Sequence, residues 1–214
     1  VQAALDVPRL LADLAADAPG GGGLARPAPA LVRSAAPDRA TYLVRPDLGR
    51  RLASGEGERL SGGPTEVAVV IADGLSALAV QRHAAPLLAA LRARSPARWS
   101  AAPVVIALQA RVALGDEVGA RLGARLVAVL VGERPGLTAP DSLGVYLTFE
   151  PRPGRTDAER NCVSNVRPAG LPYPEAARRV DWLAGAALGR GLTGIGLVDE
   201  SQPELEARPP EVLP

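Results

Sequence analysis

The stretch Thr65-Glu66-Val67-Ala68-Val69-Val70-Ile71-Ala72-Asp73-Gly74-Leu75-Ser76 decides the fold. Its apolar run, Val67 to Ile71, is unbroken rather than alternating, which is how a strand covered on both faces reads. Asp73-Gly74 ends the run with turn chemistry. Ser76 then stands where a side-chain oxygen can cap a helix, and Leu78, Leu87, Leu88 and Leu91 fall near helical spacing from Ser76 to Arg94. Pro86 lies inside that pattern without an amide hydrogen to give, so it is expected to kink or interrupt the helix.

The strand-helix unit recurs on the C-terminal side. Val104 to Leu108 predicts a strand, Asp116 to Leu122 a short helix, and Leu126 to Val131 another strand. Val145 to Phe149 is a further strand candidate, and Gly194 to Leu197 a short one. Between them, Pro174 to Leu188 predicts an amphipathic helix with proline in its first turn, where no amide is needed. Such alternation points to the α/β class, a Rossmann-like parallel sheet with flanking helices. No repeat with a period of about 20–50 residues is present.

On the N-terminal side the composition changes. A helical pattern through Leu10, Leu11 and Leu14 leads into Gly20 to Gly23 and the Pro-rich Arg26-Pro27-Ala28-Pro29, which read as a flexible connector. A second turn-rich break runs from Ser54 to Pro64. The expected organisation is therefore an N-terminal extension with its Gly/Pro-rich linker over 1–60, the sheet domain over 61–200, and a flexible tail over 201–214.

With 214 residues, 47% of them hydrophobic, the chain can bury one sizeable core. Its 24 basic residues, all arginine, nearly cancel 23 acidic ones, and a net charge of +1 gives no field that would favour nucleic acid or an anionic membrane. A single cysteine excludes an intrachain disulfide, and no apolar run approaches the roughly 20 residues that span a bilayer. An intracellular, soluble protein is expected.

In an open parallel sheet, ligands collect beyond the carboxyl ends of the strands. The loops there should be Asp73-Gly74-Leu75-Ser76, Gln109-Ala110-Arg111-Val112 and Gly132-Glu133-Arg134-Pro135-Gly136. Gly132 and Gly136 would let backbone approach a bulky ligand, Glu133 supplies acceptors and Arg134 donors; the same residues also suit a turn held by a local ion pair. Cys162 is either a small buried residue or a reactive or ligand-contacting thiol. His83, the sole histidine, falls mid-helix and reads as a packing or surface residue. There is no dinucleotide fingerprint, phosphate-loop lysine, zinc spacing or nucleophile elbow, so the residues alone describe a ligand-binding domain without a catalytic set.

Five segments add to this: Val44-Arg45-Pro46-Asp47-Leu48-Gly49-Arg50-Arg51, Ala72 to Ser76, Arg111-Val112, Val131 to Leu137, and Arg160-Asn161-Cys162-Val163-Ser164-Asn165. In order and spacing, over about residues 41 to 198, the chain resembles the small subunit of ethanolamine ammonia-lyase. The resemblance implies a hetero-oligomeric, adenosylcobalamin-dependent lyase in which a large subunit holds the substrate site. Several copies of each subunit would assemble, in the cytoplasm or inside a protein-shelled microcompartment. It implies cobalamin contacts at Val112, Glu133 and Cys162, no catalytic acid or base, and no activity of this chain alone. Since His83 stands outside any cobalt-binding loop motif, the cofactor should keep its own lower base.

Two other readings compete with this one. A stand-alone nucleotide-binding enzyme of hydrolase type would work through Asp73 and Ser76. A purely structural subunit would use the same loops only as an interface.

Overall fold

The computed structural model describes residues 3–16, 28–60, 62–137 and 139–201. The strands are β1 (Ala30–Arg33), β2 (Thr65–Ala72), β3 (Val104–Leu108), β4 (Ala124–Gly132), β5 (Leu143–Phe149) and β6 (Asn161–Val166). The helices are α1 (Val7–Ala16), α2 (Arg39–Val44), α3 (Ala77–Arg94), α4 (Pro96–Trp99), α5 (Leu114–Arg121) and α6 (Tyr173–Arg190). The strands form one six-stranded sheet in the order β1-β3-β2-β4-β5-β6.

The decisive strand and its helix fold as their residues dictate. Val67 to Ala72 is buried along its whole length in the sheet, and the Ser76 hydroxyl caps α3 by accepting from the Ala79 amide at 3.2 Å. The expected interruption at Pro86 does not occur. Pro86 is on the exposed side of α3, where water can take the carbonyl that proline leaves unpaired.

The sheet is mixed rather than parallel. β1, β3, β2 and β4 pair in parallel, whereas β5 runs antiparallel to both β4 and β6. Among the described residues no helix lies between Gly132 and Leu143, and so short a return can only reverse the chain beside β4, because a parallel crossover takes a dozen or more residues. β6 has no counterpart in the sequence reading, since its residues are largely polar and its burial follows an edge strand's pattern. Gly194 to Leu197, read as a strand, instead forms a 3-10 turn over Gly194–Gly196. Gly194 has φ 87°, a left-handed value that no strand uses.

β1 comes from the first sixty residues and hydrogen-bonds in register with β3, so part of that stretch is sheet. The helical pattern through Leu10 and Leu14 is α1, with both leucines buried in the core. The Gly20 to Gly23 stretch and the tail from Gln202 on lie outside the described residues.

Each face of the sheet has its own core. On one, Val67, Val69, Ile71, Ile106, Leu126, Leu130, Val145 and Val163 meet α1, α3 and α6. On the other, Ala68, Val70, Val105, Val127 and Val129 meet Leu114 and Val118 of α5 together with Val32, Leu52 and Leu60.

Candidate ligand-binding cleft

On the second face α5 shields β2 and β4, and Gly115 and Gly119 allow the close approach; a methyl at Gly119 would press on Pro151 and Val127. β5 and β6 are joined to each other and to β4 without an α-helix among the described residues, the β5–β6 connection holding only the 3-10 turn Asp157–Glu159. Their outward residues are therefore less covered: Tyr146 is half-buried, and Cys162 and Ser164 are exposed. The antiparallel return of β5 thus leaves part of one sheet face bare beside the loops at the carboxyl ends of β2, β3 and β4.

A cleft of about 280 Å³ lies there, lined by Tyr42, Gly74, Leu75, Arg111, Val112, Val131, Gly132, Glu133, Arg134 and Tyr146. Two of the expected residues, Val112 and Glu133, line it directly. The third, Cys162, sits opposite Tyr146 in the β5–β6 ladder and shares a side-chain hydrogen bond with it. Loops and strands far apart in sequence thus converge on one concave surface.

Val112 is half-buried just ahead of α5, and its loop is fixed by the Arg111 amide donating to Gly49 O at 2.8 Å. Glu133 continues the β4 ladder, its amide donating to Ser142 O at 3.0 Å. One carboxylate oxygen, Oε2, accepts from the Ser142 hydroxyl and, at 3.3 Å, from the Asn165 amide. Gly144 leaves room for the other, since a methyl there would stand 2.8 Å from Oε1.

Of the alternatives for Cys162 the buried residue does not hold: it is exposed on the edge strand. Neighbouring protein still removes enough water from the sulfur to push its thiol pKa up, and the nearby Glu133 charge adds to the shift, although Tyr146 and Ser164 oppose it by hydrogen bonding. The thiol is therefore neutral at physiological pH. Burial and the same sulfur raise the Tyr146 phenol, which also stays protonated.

Several residues of the quoted segments have structural duties instead. Asp73 is buried, accepting from the Ala110 amide at 3.0 Å and pairing with Arg39 at 3.5 Å. Burial raises its carboxyl pKa, against the hydrogen bonds and Arg39 that lower it. The Ser76 hydroxyl caps α3 and donates to Pro140 O at 3.1 Å. Asp73 and Ser76 therefore do not form the catalytic pair of the hydrolase reading.

Gly74, at φ 56°, and Gly132 bring two loops together through the Leu75 amide, which donates to Gly132 O at 2.8 Å. A methyl on Gly132 would fall within the van der Waals shell of the Ser76 carbonyl oxygen, so this glycine serves loop packing rather than ligand approach. The segment from Val44 to Arg51 packs Gly49 against the ring of the neighbouring Tyr42, whose centroid is 4.6 and 4.8 Å from the guanidinium groups of Arg39 and Arg111.

Arg160 and Asn161, adjoining Cys162, are anchors. Arg160 donates to both oxygens of Asp116 at 2.6 and 2.7 Å, to Thr148 Oγ1 at 2.8 Å and to Arg155 O at 2.9 Å. Burial alone would lower the arginine, but the hydrogen bonds and charge of Asp116 hold it above its usual value. Burial pulls Asp116 the other way; a bidentate contact to a permanently charged guanidinium keeps it ionised. Asn161 Nδ2 donates to Leu197 O at 2.7 Å and its Oδ1 accepts from the Gly194 amide at 2.8 Å, tying down the chain beyond α6. Nothing in the residue types distinguishes these anchors from ligand contacts.

His83 is a packing residue, as its place in the helix implied. It is buried between α3 and α6, with Nδ1 2.8 Å from the Tyr173 hydroxyl and Nε2 3.3 Å from Asp141. Burial lowers its pKa. It belongs to the face of the sheet away from Tyr146 and Cys162, and among the described residues no group of three or more His, Cys, Asp or Glu could hold a metal ion. No helix among them is long and apolar enough to cross a membrane.

The family model for the ethanolamine ammonia-lyase light chain (EutC) matches residues 1–198. Among curated proteins, the chain is 56% identical over 179 residues to an ethanolamine ammonia-lyase small subunit of Azotobacter vinelandii, covering 80% of this chain and 66% of that one. It is 55% identical over 206 residues to the Bradyrhizobium diazoefficiens small subunit, covering 94% and 76%, and 54% identical over 178 residues to that of Xanthomonas campestris pv. campestris, covering 80% and 65%. The chain thus spans about two thirds to three quarters of the length of these relatives. The match takes in the bare sheet face, the three loops beside it and both anchors, and on that breadth the chain belongs to the ethanolamine ammonia-lyase light-chain family.

Proposed function

We propose that this chain is the small subunit of an adenosylcobalamin-dependent ethanolamine ammonia-lyase and forms one wall of the cobalamin site, with a large subunit forming the rest. The observation that carries the reading is the convergence of Val112, Glu133 and Cys162 around a single uncovered patch of sheet. A cleft of about 280 Å³ is at the lower end of small-molecule pockets, roughly 300–1,000 Å³. A corrin ring is too large to be enclosed there, so this chain can only face one side of it. The chemistry of the patch suits such one-sided contact. Val112 and the Tyr146 ring offer apolar surface, Glu133 Oε1 accepts from amide side chains, and the neutral thiol of Cys162 packs without charge.

When bound, the cofactor supplies the radical by homolysis of its cobalt–carbon bond, which leaves the protein to position it and exclude water. The residues of this chain bind and orient. With Nδ1 of His83 held by Tyr173 and the ring buried on the opposite side of the sheet, no histidine of this chain displaces the cofactor's lower base. The substrate site and the chemistry on ethanolamine belong to the large subunit, and the complex contains several copies of each chain, within the cytoplasm or a microcompartment.

The test is reconstitution. Alone the chain should be inactive; mixed with its large subunit it should restore cobalamin-dependent deamination of ethanolamine to acetaldehyde and ammonia. Full activity of the large subunit alone would refute the proposal. In the reconstituted complex Glu133→Ala should raise the dissociation constant for cobalamin, and an unchanged value would favour a purely structural subunit.

A further inference from the structure

Beside the cleft just described is a second one of about 410 Å³, and Arg111 and Val112 line both. Its remaining walls are Arg50, Ala113, Arg155, Thr156, Asp157 and Arg160. Four guanidinium groups thus surround one cavity that holds a single carboxylate. Two of the four are committed: Arg160 to Asp116, and Arg155 to Glu159 and the carbonyls of Phe149 and Glu150. Asp157, its side chain 95% exposed, is itself in ion-pair contact with Arg160 Nε at 3.5 Å.

Arg50 and Arg111 remain. Neither meets a carboxylate among the described residues. Arg111 is nevertheless held rigidly, stacked 4.8 Å from the Tyr42 ring centroid with Nη2 donating to Tyr42 O at 3.3 Å. Among the described residues its Nε is shielded from solvent without a partner, whereas Nη1 has no hydrogen bond and is not shielded. A planar cation fixed in place with a donor to spare is arranged for an oxyanion, and phosphate fits best because its oxygens accept the guanidinium fork in pairs.

We propose that Arg50 and Arg111 form a subsite for the single phosphodiester in the nucleotide tail of cobalamin. The proposal rests on the cobalamin reading above and deepens it. A corrin lying on the Tyr146 and Cys162 face would meet Val112 with its rim. A tail that carries the cofactor's own base beneath the ring passes that rim, and the wall shared by the two clefts is where it would cross. The phosphate then replaces the carboxylate that the two arginines lack.

The test compares two corrinoids on the complex of both subunits: cyanocobalamin, and dicyanocobinamide, which has the corrin but no nucleotide tail. Arg50→Ala, an exposed substitution that leaves the packing alone, should raise the dissociation constant for cyanocobalamin about threefold, and Arg111→Ala about tenfold or more, as expected for lost charge-assisted hydrogen bonds. Arg50→Ala should leave the affinity for dicyanocobinamide unchanged, and Arg111→Ala, which also lines the corrin cleft, should weaken dicyanocobinamide several-fold less than cyanocobalamin. Inorganic phosphate should compete with cyanocobalamin in the unsubstituted complex and not in the Arg50→Ala, Arg111→Ala double variant. Equal weakening of both corrinoids, or of neither, overturns the subsite while leaving the cobalamin reading intact. Failure of the unsubstituted complex to bind either corrinoid overturns both.

Discussion

Replacing Asp116 by alanine should unfold this domain more easily than any change at the cleft surface. Arg160 and Asp116 are almost fully enclosed, their side chains 2% and 1% exposed, and four hydrogen bonds of 2.6–2.9 Å fix the guanidinium between α5, β5 and the segment leading into β6. Asp116→Ala removes two of those bonds and, among the described residues, the one buried carboxylate paired with Arg160. Breaking a buried pair from one side typically costs about 3–5 kcal/mol. For a chain of this size each kcal/mol lowers the melting temperature by about 2–4 °C, so a fall of about 6–20 °C is expected. Thermal unfolding followed by circular dichroism, checked by urea titration, measures it. The double variant Asp116→Leu, Arg160→Met should recover most of the loss, because apolar residues of similar volume replace such pairs at little cost. A single variant that melts within about 2 °C of the parent, or a double variant no better than the single one, would refute the claim that this pair pins β6, and Cys162 with it, beside α5.

Gly132→Ala should destabilise by about 1–3 kcal/mol, because the added methyl meets the backbone oxygen of Ser76 and not a movable side chain. Gly136→Ala, whose nearest atoms are 4.0 Å away, is the matched control and should be near neutral in the same urea titration. The capping box of Thr156 and Glu159 predicts an acid dependence: the Thr156 backbone amide, Arg155 and the Thr156 hydroxyl hold the Glu159 carboxyl at about 2, well below its ordinary 4.5. A depressed folded-state value means the unfolded chain binds the proton more readily. The contribution is thus fully present above pH 4.5 and is lost as pH falls towards about 2. The stability gap between the parent and Glu159→Gln should shrink over that window; a gap independent of pH would show that Glu159 does not act as an ionised cap.

How much was legible in the sequence follows from how local each signal is. The Val67 to Ile71 run, the Ser76 cap and the leucines after it depend on neighbours a few residues away, and β2 and α3 formed where those residues require. The arrangement of segments over residues 41 to 198 likewise carried the family assignment. β6 escaped notice because an edge strand needs neither an apolar run nor strict alternation; its partner supplies the order. Pro86 looked like a helix breaker because whether a missing amide matters depends on which side of the helix faces water, a tertiary fact.

The candidate site divides the same way. Residue types alone could mark Gly132, Glu133, Arg160 and Cys162 as unusual, yet could not separate anchors from contacts, since an arginine bound to a buried aspartate and one awaiting a phosphate are the same letter. Only the folded chain shows that Arg160 is spent on Asp116, that Gly132 accommodates Ser76, and that Arg111 has a donor left over. By itself the sequence determined the class of fold, its central strand and helix, and the family. The tertiary structure decided that the sheet is mixed. The short return from β4 into β5 forces an antiparallel pair, among the described residues no α-helix covers that part of the second face, and Val112, Glu133 and Cys162 lie around the surface left bare.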